Sequence, residues 1–121
     1  MLPSNDPITE KVKLFAIRII KLYQYLTEKK KEFVLSKQVL RSGTSIGANR
    51  TEAAYAFSGK DFLHKNEVAL GECAETLYGL ELLQATGYST AKQFSSIAAD
   101  GQELLKLLSA IVKSLKAKNG Q

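Results

Sequence analysis

Residues able to do chemistry are few and scattered along the chain. There is one histidine, His64, and one cysteine, Cys73. Acyl transfer by a serine needs an imidazole and a carboxylate behind the hydroxyl. The serine in the most unusual surroundings is Ser45, inside "LRSGTSIGANRTEAAYA", residues 40–56, and it has no histidine near it in sequence. One His and one Cys do not make a thiolate–imidazole zinc centre, and no Glu-x-x-His pair points to a di-metal bundle. Ser58-Gly59-Lys60 lacks the upstream glycines and the strand of a phosphate loop. The expectation is a protein that is not an enzyme, with no catalytic residues, cofactor or metal.

The elements that must position these residues read as helices. Prolines occur only at positions 3 and 7, and the rest is rich in Leu, Ala, Lys and Glu without strand-like alternation. Asp6-Pro7 is a helix start, because aspartate caps and proline at the first helical position loses no hydrogen bond. This helix is predicted over 7–28. The run Lys29-Lys30-Lys31 then opposes the negative end of the helix dipole, or equally offers a ligand site. Ser36 is expected to cap a second helix, over 37–56, with Leu35 and Leu40 as its hydrophobic staple. Ser58 and Asp61 open a third, over 59–86, with Phe57 and Phe62 as the staple and Gly87 as a left-handed stop. Ser89 is expected to cap a fourth, over 90–116. Short connections force sequential helices to run antiparallel. The predicted fold is one all-α domain over 1–121, an up-down-up-down antiparallel four-helix bundle.

At 121 residues the chain is long enough to bury a core without disulfides. A single cysteine fits a reducing compartment. There is no basic-plus-apolar leader and no apolar run of roughly 18 residues. A cytoplasmic protein without membrane contact is expected. The net charge of +5 is uneven: residues 1–57 carry ten Lys/Arg against five Asp/Glu, whereas residues 58–86 carry two against five. Such a balance suits nucleic acid or simply keeps a surface soluble.

Helix 1 is apolar over most of its circumference, with Val12, Leu14, Phe15, Ile17, Ile19, Ile20 and Leu22. A monomeric bundle helix needs an apolar stripe of only about 100°, so the excess predicts contact with a second copy. In helix 2, Val39, Gly43, Ile46, Ala53 and Phe57 share the expected core side. Gly43 and Gly47 form a G-x-x-x-G step that lets another helix come close. Helix 3 sets Leu63, Leu70, Cys73, Leu77 and Leu80 on one seam, so Cys73 reads as a small core residue. Glu67, Glu72 and Glu75 lie beside it, able to pair with Arg41, Arg50 or Lys65 within the bundle or between copies. Helix 4 turns Leu104, Leu105, Leu108, Ile111, Val112 and Leu115 inward and Lys106, Lys113 and Lys116 outward.

"SKQVLRSGTSIGANRTEA", followed by "KDFLHKNEVALGECAETLYGLELL", resembles the bacterial four-helix-bundle family named after proteins encoded in intervening sequences of large-subunit ribosomal RNA genes. Gln38, Arg41, Ser42, Ser45, Ile46, Asn49 and Glu52 match its first motif; Glu72, Glu75, Thr76, Tyr78 and Leu80 match its second. Two positions depart from the pattern: Arg50 stands where an aliphatic residue is usual, and Gly79 where tryptophan is common. Loss of that ring should leave a void or admit another side chain, and Arg50 is expected to fill space and pair with a helix-3 glutamate. The resemblance implies a ring-like homopentamer with a central channel. It also implies kinship with accessory proteins of diversity-generating retroelements, which are associated with nucleic-acid binding.

Two functions follow. The first is a non-enzymatic oligomer binding RNA or other nucleic acid through Lys29, Lys30, Lys31, Lys37, Lys106, Lys113 and Lys116. Little aromatic interleaving accompanies these lysines along the chain, which argues against a single-strand platform. The second is a protein-interaction scaffold or adaptor for a mobile-element or RNA-processing enzyme.

Overall fold

A computed structural model describes residues 6–120; residues 1–5 and 121 lie outside the described residues. Four helices follow in order: α1 Pro7–Glu28, α2 Leu35–Ala53, α3 Gly59–Ala85 and α4 Ala91–Lys118. No strand occurs among the described residues. Cross-helix contacts fix the antiparallel register. Ser42 of α2 meets Thr76 of α3, and Arg50 near the end of α2 meets Asn66 near the start of α3. Lys116 near the end of α4 meets Glu67 of α3. Each helix packs on its chain neighbours, and α1 with α4 closes the bundle along its thinnest side.

The helix ends show where local signals act and where they yield. Asp6 accepts the Ile8 N–H at 3.0 Å, with Pro7 as the first helical residue. Ser58 accepts from the Asp61 N–H at 3.1 Å, and the Asp61 carboxylate accepts from Phe57 N–H. At the end of α3, Gly87 has φ +87°, Tyr88 N–H donates to Leu83 O, and Gly87 N–H donates to Gln84 O. This Schellman closure is available to glycine without a Cβ penalty.

Four expectations are corrected. α2 starts at Leu35, not at 37, and Ser36 is not its cap. The acceptor is the Glu32 carboxylate, which takes the N–H groups of Val34, Leu35 and Ser36. Buried Ser36 instead donates its hydroxyl to Glu32 O at 2.7 Å. The end of α2 falls at Ala53 rather than 56, because Ala54, Tyr55 and Ala56 turn back onto the carbonyls three residues earlier. Phe57 is 98 % exposed, so no staple with Phe62 forms. α4 is capped by Thr90, not Ser89, in a reciprocal box with Gln93.

Phe15, Ile19, Leu26, Val39, Ile46, Cys73, Leu80, Leu83, Leu104 and Leu108 form the core. The small residues of α2 are explained inside one chain. A Cβ on Gly43 would lie 2.8 Å from Ile19 Cγ2, and one on Gly47 would lie 3.2 Å from Val12 Cγ1. The G-x-x-x-G step therefore receives α1 of the same molecule. Leu14, Ile17 and Ile20 remain exposed on the outer side of α1.

Candidate functional site

The motif residues of α2 and α3 assemble into a zipper that holds the two helices together. Arg41 sits at the rim, with Nη1 donating to Glu72 Oε2 at 3.2 Å and Nη2 donating to Glu75. Those two hydrogen bonds, Glu72 first, raise the guanidinium above its ordinary value. Inside the rim, Thr76 Oγ1 donates to Ser42 Oγ at 2.8 Å, and both residues are buried. Ile46 is fully buried one turn beyond. Ser45 Oγ donates to Arg41 O at 2.6 Å, and Asn49 Nδ2 to Ser45 O at 2.9 Å. Glu52 accepts from Lys65 at 2.8 Å and raises that ammonium. Gln38 borders a small cavity of about 70 Å³ with Tyr78, Gly79 and Leu82.

Packing accounts for the residues at positions 79 and 50. Val39 occupies the space beside Gly79, where an added Cβ would come within 2.5 Å of Val39 Cγ2. Arg50 is drawn inward, with a side chain only 9 % exposed. Its partners differ from the expected glutamate: Nη1 donates to Asn66 Oδ1 at 2.8 Å, and Nη2 to Asp6 Oδ2 at 3.2 Å. Glu67, Glu72 and Glu75 are engaged by Lys116 and Arg41.

Hydroxyl, thiol and imidazole are not brought together. The Ser45 hydroxyl is turned onto its own helix backbone, His64 is exposed, and Cys73 is buried with Sγ 3.5 Å from Gly101 O. Burial pushes the Cys73 thiol up to about 11, which suppresses the nucleophilic thiolate. No cluster of three metal-ligating side chains occurs among the described residues. No helix among them is long and apolar enough to cross a membrane.

The candidate lysines divide between two regions. Lys29, Lys30 and Lys31 follow α1, and Lys37 lies in the first turn of α2, so these four share the end of the bundle where α3 also finishes. All four are exposed, and none makes an ion pair among the described residues. Two acids flank the run: Glu28 is exposed, and Glu32 spends its carboxylate on the N-terminus of α2. Its burial works against ionisation, but the hydrogen bonds from Ser36, Leu35 and Val34 outweigh that and hold it below the ordinary value. Lys106, Lys113 and Lys116 instead climb α4 toward the opposite end. At a rise of about 1.5 Å per residue, Lys116 stands roughly 37 Å along α4 from Ala91. Lys116 already faces Glu67 at 3.8 Å. The seven residues are therefore not one surface.

Sequence reasoning missed two members of the basic end. Lys21 and Lys92 lie 71 positions apart but flank one groove between α1 and α4. Their separation hides the pairing until the fold is drawn.

An antiparallel bundle with laced second and third helices, and with the exposed Lys29, Lys30, Lys31 and Lys37 together at one end, defines a four-helix-bundle protein whose marked residues hold structure. The chain belongs to the 23S rRNA-intervening sequence protein family, whose family model matches residues 5–110. A solved structure of an S23 ribosomal protein family member from Bacteroides thetaiotaomicron, itself of unknown function, is 52 % identical. It superposes with a TM-score of 0.86 over 88 % of this chain and 98 % of the other. Comparison with curated proteins returns no match.

Proposed function

We propose that this protein is a non-enzymatic, homo-oligomeric bundle, one domain per copy, that binds RNA in the cytoplasm through the end carrying Lys29, Lys30, Lys31 and Lys37. One observation carries the reading: these ammonium groups are exposed and make no ion pair among the described residues, while Glu32, one of the two acids that flank the lysine run, is withdrawn into a helix cap and leaves Glu28 as the exposed one. Free surface cations that displace condensed counterions give sequence-independent, salt-sensitive binding to phosphates. The family's name ties it to 23S rRNA, which makes RNA the first polyanion to try.

The test is a filter-binding titration against structured RNA at several salt concentrations. The expected result is an affinity that falls steeply with salt. Weak binding indifferent to salt would overturn the reading.

Self-association is supported by the exposed Leu14, Ile17 and Ile20 on α1, and the pentamer by the family resemblance. Repetition of the basic end around a ring would multiply its field. Sedimentation at high concentration should give a particle several times 13.3 kDa; a lone 13.3 kDa species would end the ring.

A protein scaffold is favoured by a different feature, the apolar furrow of about 480 Å³ between α1 and α2, floored by Ala16, Gly47 and Ala48 beside exposed Tyr55. Recovery of one stoichiometric protein without nucleic acid would select it.

A further inference from the structure

We infer that the groove between α1 and the start of α4 takes unpaired RNA bases, so that the basic end holds single-stranded nucleotides in preference to duplex. This rests on the reading of that end as an RNA contact and adds the part of the RNA it grips.

The groove encloses about 480 Å³ and is lined mostly by carbon. It gathers three aromatic rings that the sequence scatters: Tyr25 from α1, Tyr88 from the α3–α4 connection, and Phe94 from α4. Tyr25 is 39 % exposed, while Tyr88 and Phe94 pack against the core from the partly buried side. Lys21 and Lys92 stand on the same lining, and neither has a carboxylate partner among the described residues. Arg18 is already engaged, donating to Asp100 at 2.7 Å and to Ser96, so it fixes the wall rather than offering charge.

Along α1 the order is cation, ring, cation. Lys21, Tyr25 and Lys29 follow at one-turn intervals, and Lys29 N–H returns to Tyr25 O. Residues four apart share a helix face. Lys29 leads directly into Lys30 and Lys31. An apolar groove lined by rings beside exposed lysines complements a chain that alternates flat bases with phosphates. Sequence-tolerant single-strand binding elsewhere uses the same pairing of rings and positive track. A duplex keeps its bases stacked inside and cannot fill the groove. An acyl chain would fit the apolar wall but has one anionic end, leaving most of the lysines unused.

The chain contains no tryptophan, so Tyr25→Trp places a single indole in the groove. The experiment compares a short oligoadenylate strand with an RNA duplex of equal length, using full-length wild type, Tyr25→Ala, Tyr25→Phe and Tyr25→Trp. Loss of one stacking ring should weaken single-strand binding by at least about fivefold and leave duplex binding unchanged. Tyr25→Phe should retain wild-type affinity, and the Tyr25→Trp indole should be quenched by the single strand but not by the duplex. Equal, salt-steep binding of both RNAs by every variant, with no quenching, would overturn the groove and leave the basic end standing. Failure of wild type to bind either RNA at low salt would overturn both. Quenching by oleate but not by oligoadenylate would overturn the base-binding assignment.

Discussion

Arg50 Nη1 donates to Asn66 Oδ1 at 2.8 Å, joining the late turns of α2 to the early turns of α3 inside the bundle. Asn66 is fully buried, and its amide also donates to Phe62 O at 2.9 Å. The same guanidinium reaches Asp6, the residue that caps α1. One side chain thus ties three helices. The bond also has a cost, because Arg50 Nε is buried without a partner.

This arrangement predicts an asymmetry between single and double substitutions. Arg50→Ala strands the buried Asn66 carbonyl and should cost about 2–3 kcal/mol. Arg50→Leu combined with Asn66→Leu removes both polar partners and should recover most of that loss. Urea denaturation of Arg50→Ala, of Arg50→Leu and Asn66→Leu singly, and of the double variant checks it. A double variant as unstable as the sum of the singles would mean that the two residues are uncoupled and that neither the link nor the stranded carbonyl decides the stability.

Three glycines in helices should respond to alanine in opposite directions. Gly43→Ala drives a methyl to 2.8 Å from Ile19 Cγ2, and Gly79→Ala drives one to 2.5 Å from Val39 Cγ2. Overpacking costs about 1–3 kcal/mol, more than the roughly 1 kcal/mol gained in helix propensity. Gly71 has no atom within 4 Å of the added methyl. Gly71→Ala should therefore raise the thermal midpoint while the other two lower it. Val39→Ala should rescue Gly79→Ala by clearing the colliding methyl.

Glu32 gives the fold an acid limb. Its folded carboxylate titrates below the ordinary value because three backbone N–H groups bind the charged form more strongly than burial disfavours it. The stabilisation is therefore fully present above the unfolded carboxylate value. It is lost as the pH falls through the lower folded value. Glu32→Ala should cost about 1–2 kcal/mol at neutral pH, the magnitude of a lost helix cap. It should also flatten the decline in stability between neutral and acidic pH, measured by urea midpoints across that range.

The same cap shows what local sequence hides. Asp6-Pro7, Ser58-x-x-Asp61 and Gly87 each act within a few residues, and the fold uses all three as local chemistry dictates. Glu32 acts from outside the helix it caps. Lys31, at φ +54°, turns the chain so that Glu32 N–H reaches Leu26 O and its carboxylate faces α2. A Ser36 hydroxyl has no competing signal until that turn is known. Thr90 was legible in principle, since Gln93 stands three residues beyond it, the spacing of a capping box. The candidate site was legible only in part. Lysines at 29–31 and 37 are neighbours in sequence and stay together, but Lys106, Lys113 and Lys116 part from them because antiparallel packing sends α4 the other way. Lys21 and Tyr25 of α1 meet Tyr88, Lys92 and Phe94 only through the α1–α4 closure.

That division makes the salt dependence of RNA binding the sharpest test of the basic end. Each lysine that engages a phosphate adds about 0.7–0.9 to the slope of log affinity against log salt. Replacing Lys29, Lys30, Lys31 and Lys37 together by glutamine should flatten the slope by about 3, at 0.7–0.9 for each lysine. Replacing Lys106, Lys113 and Lys116 should leave it nearly unchanged, because they lie toward the other end and Lys116 already faces Glu67. These exposed positions tolerate substitution to within about 0.5 kcal/mol of stability, so circular dichroism should show both variants folded. If the α4 set flattens the slope and the α1–α2 set does not, RNA runs along the fourth helix and the end of the bundle is not its contact.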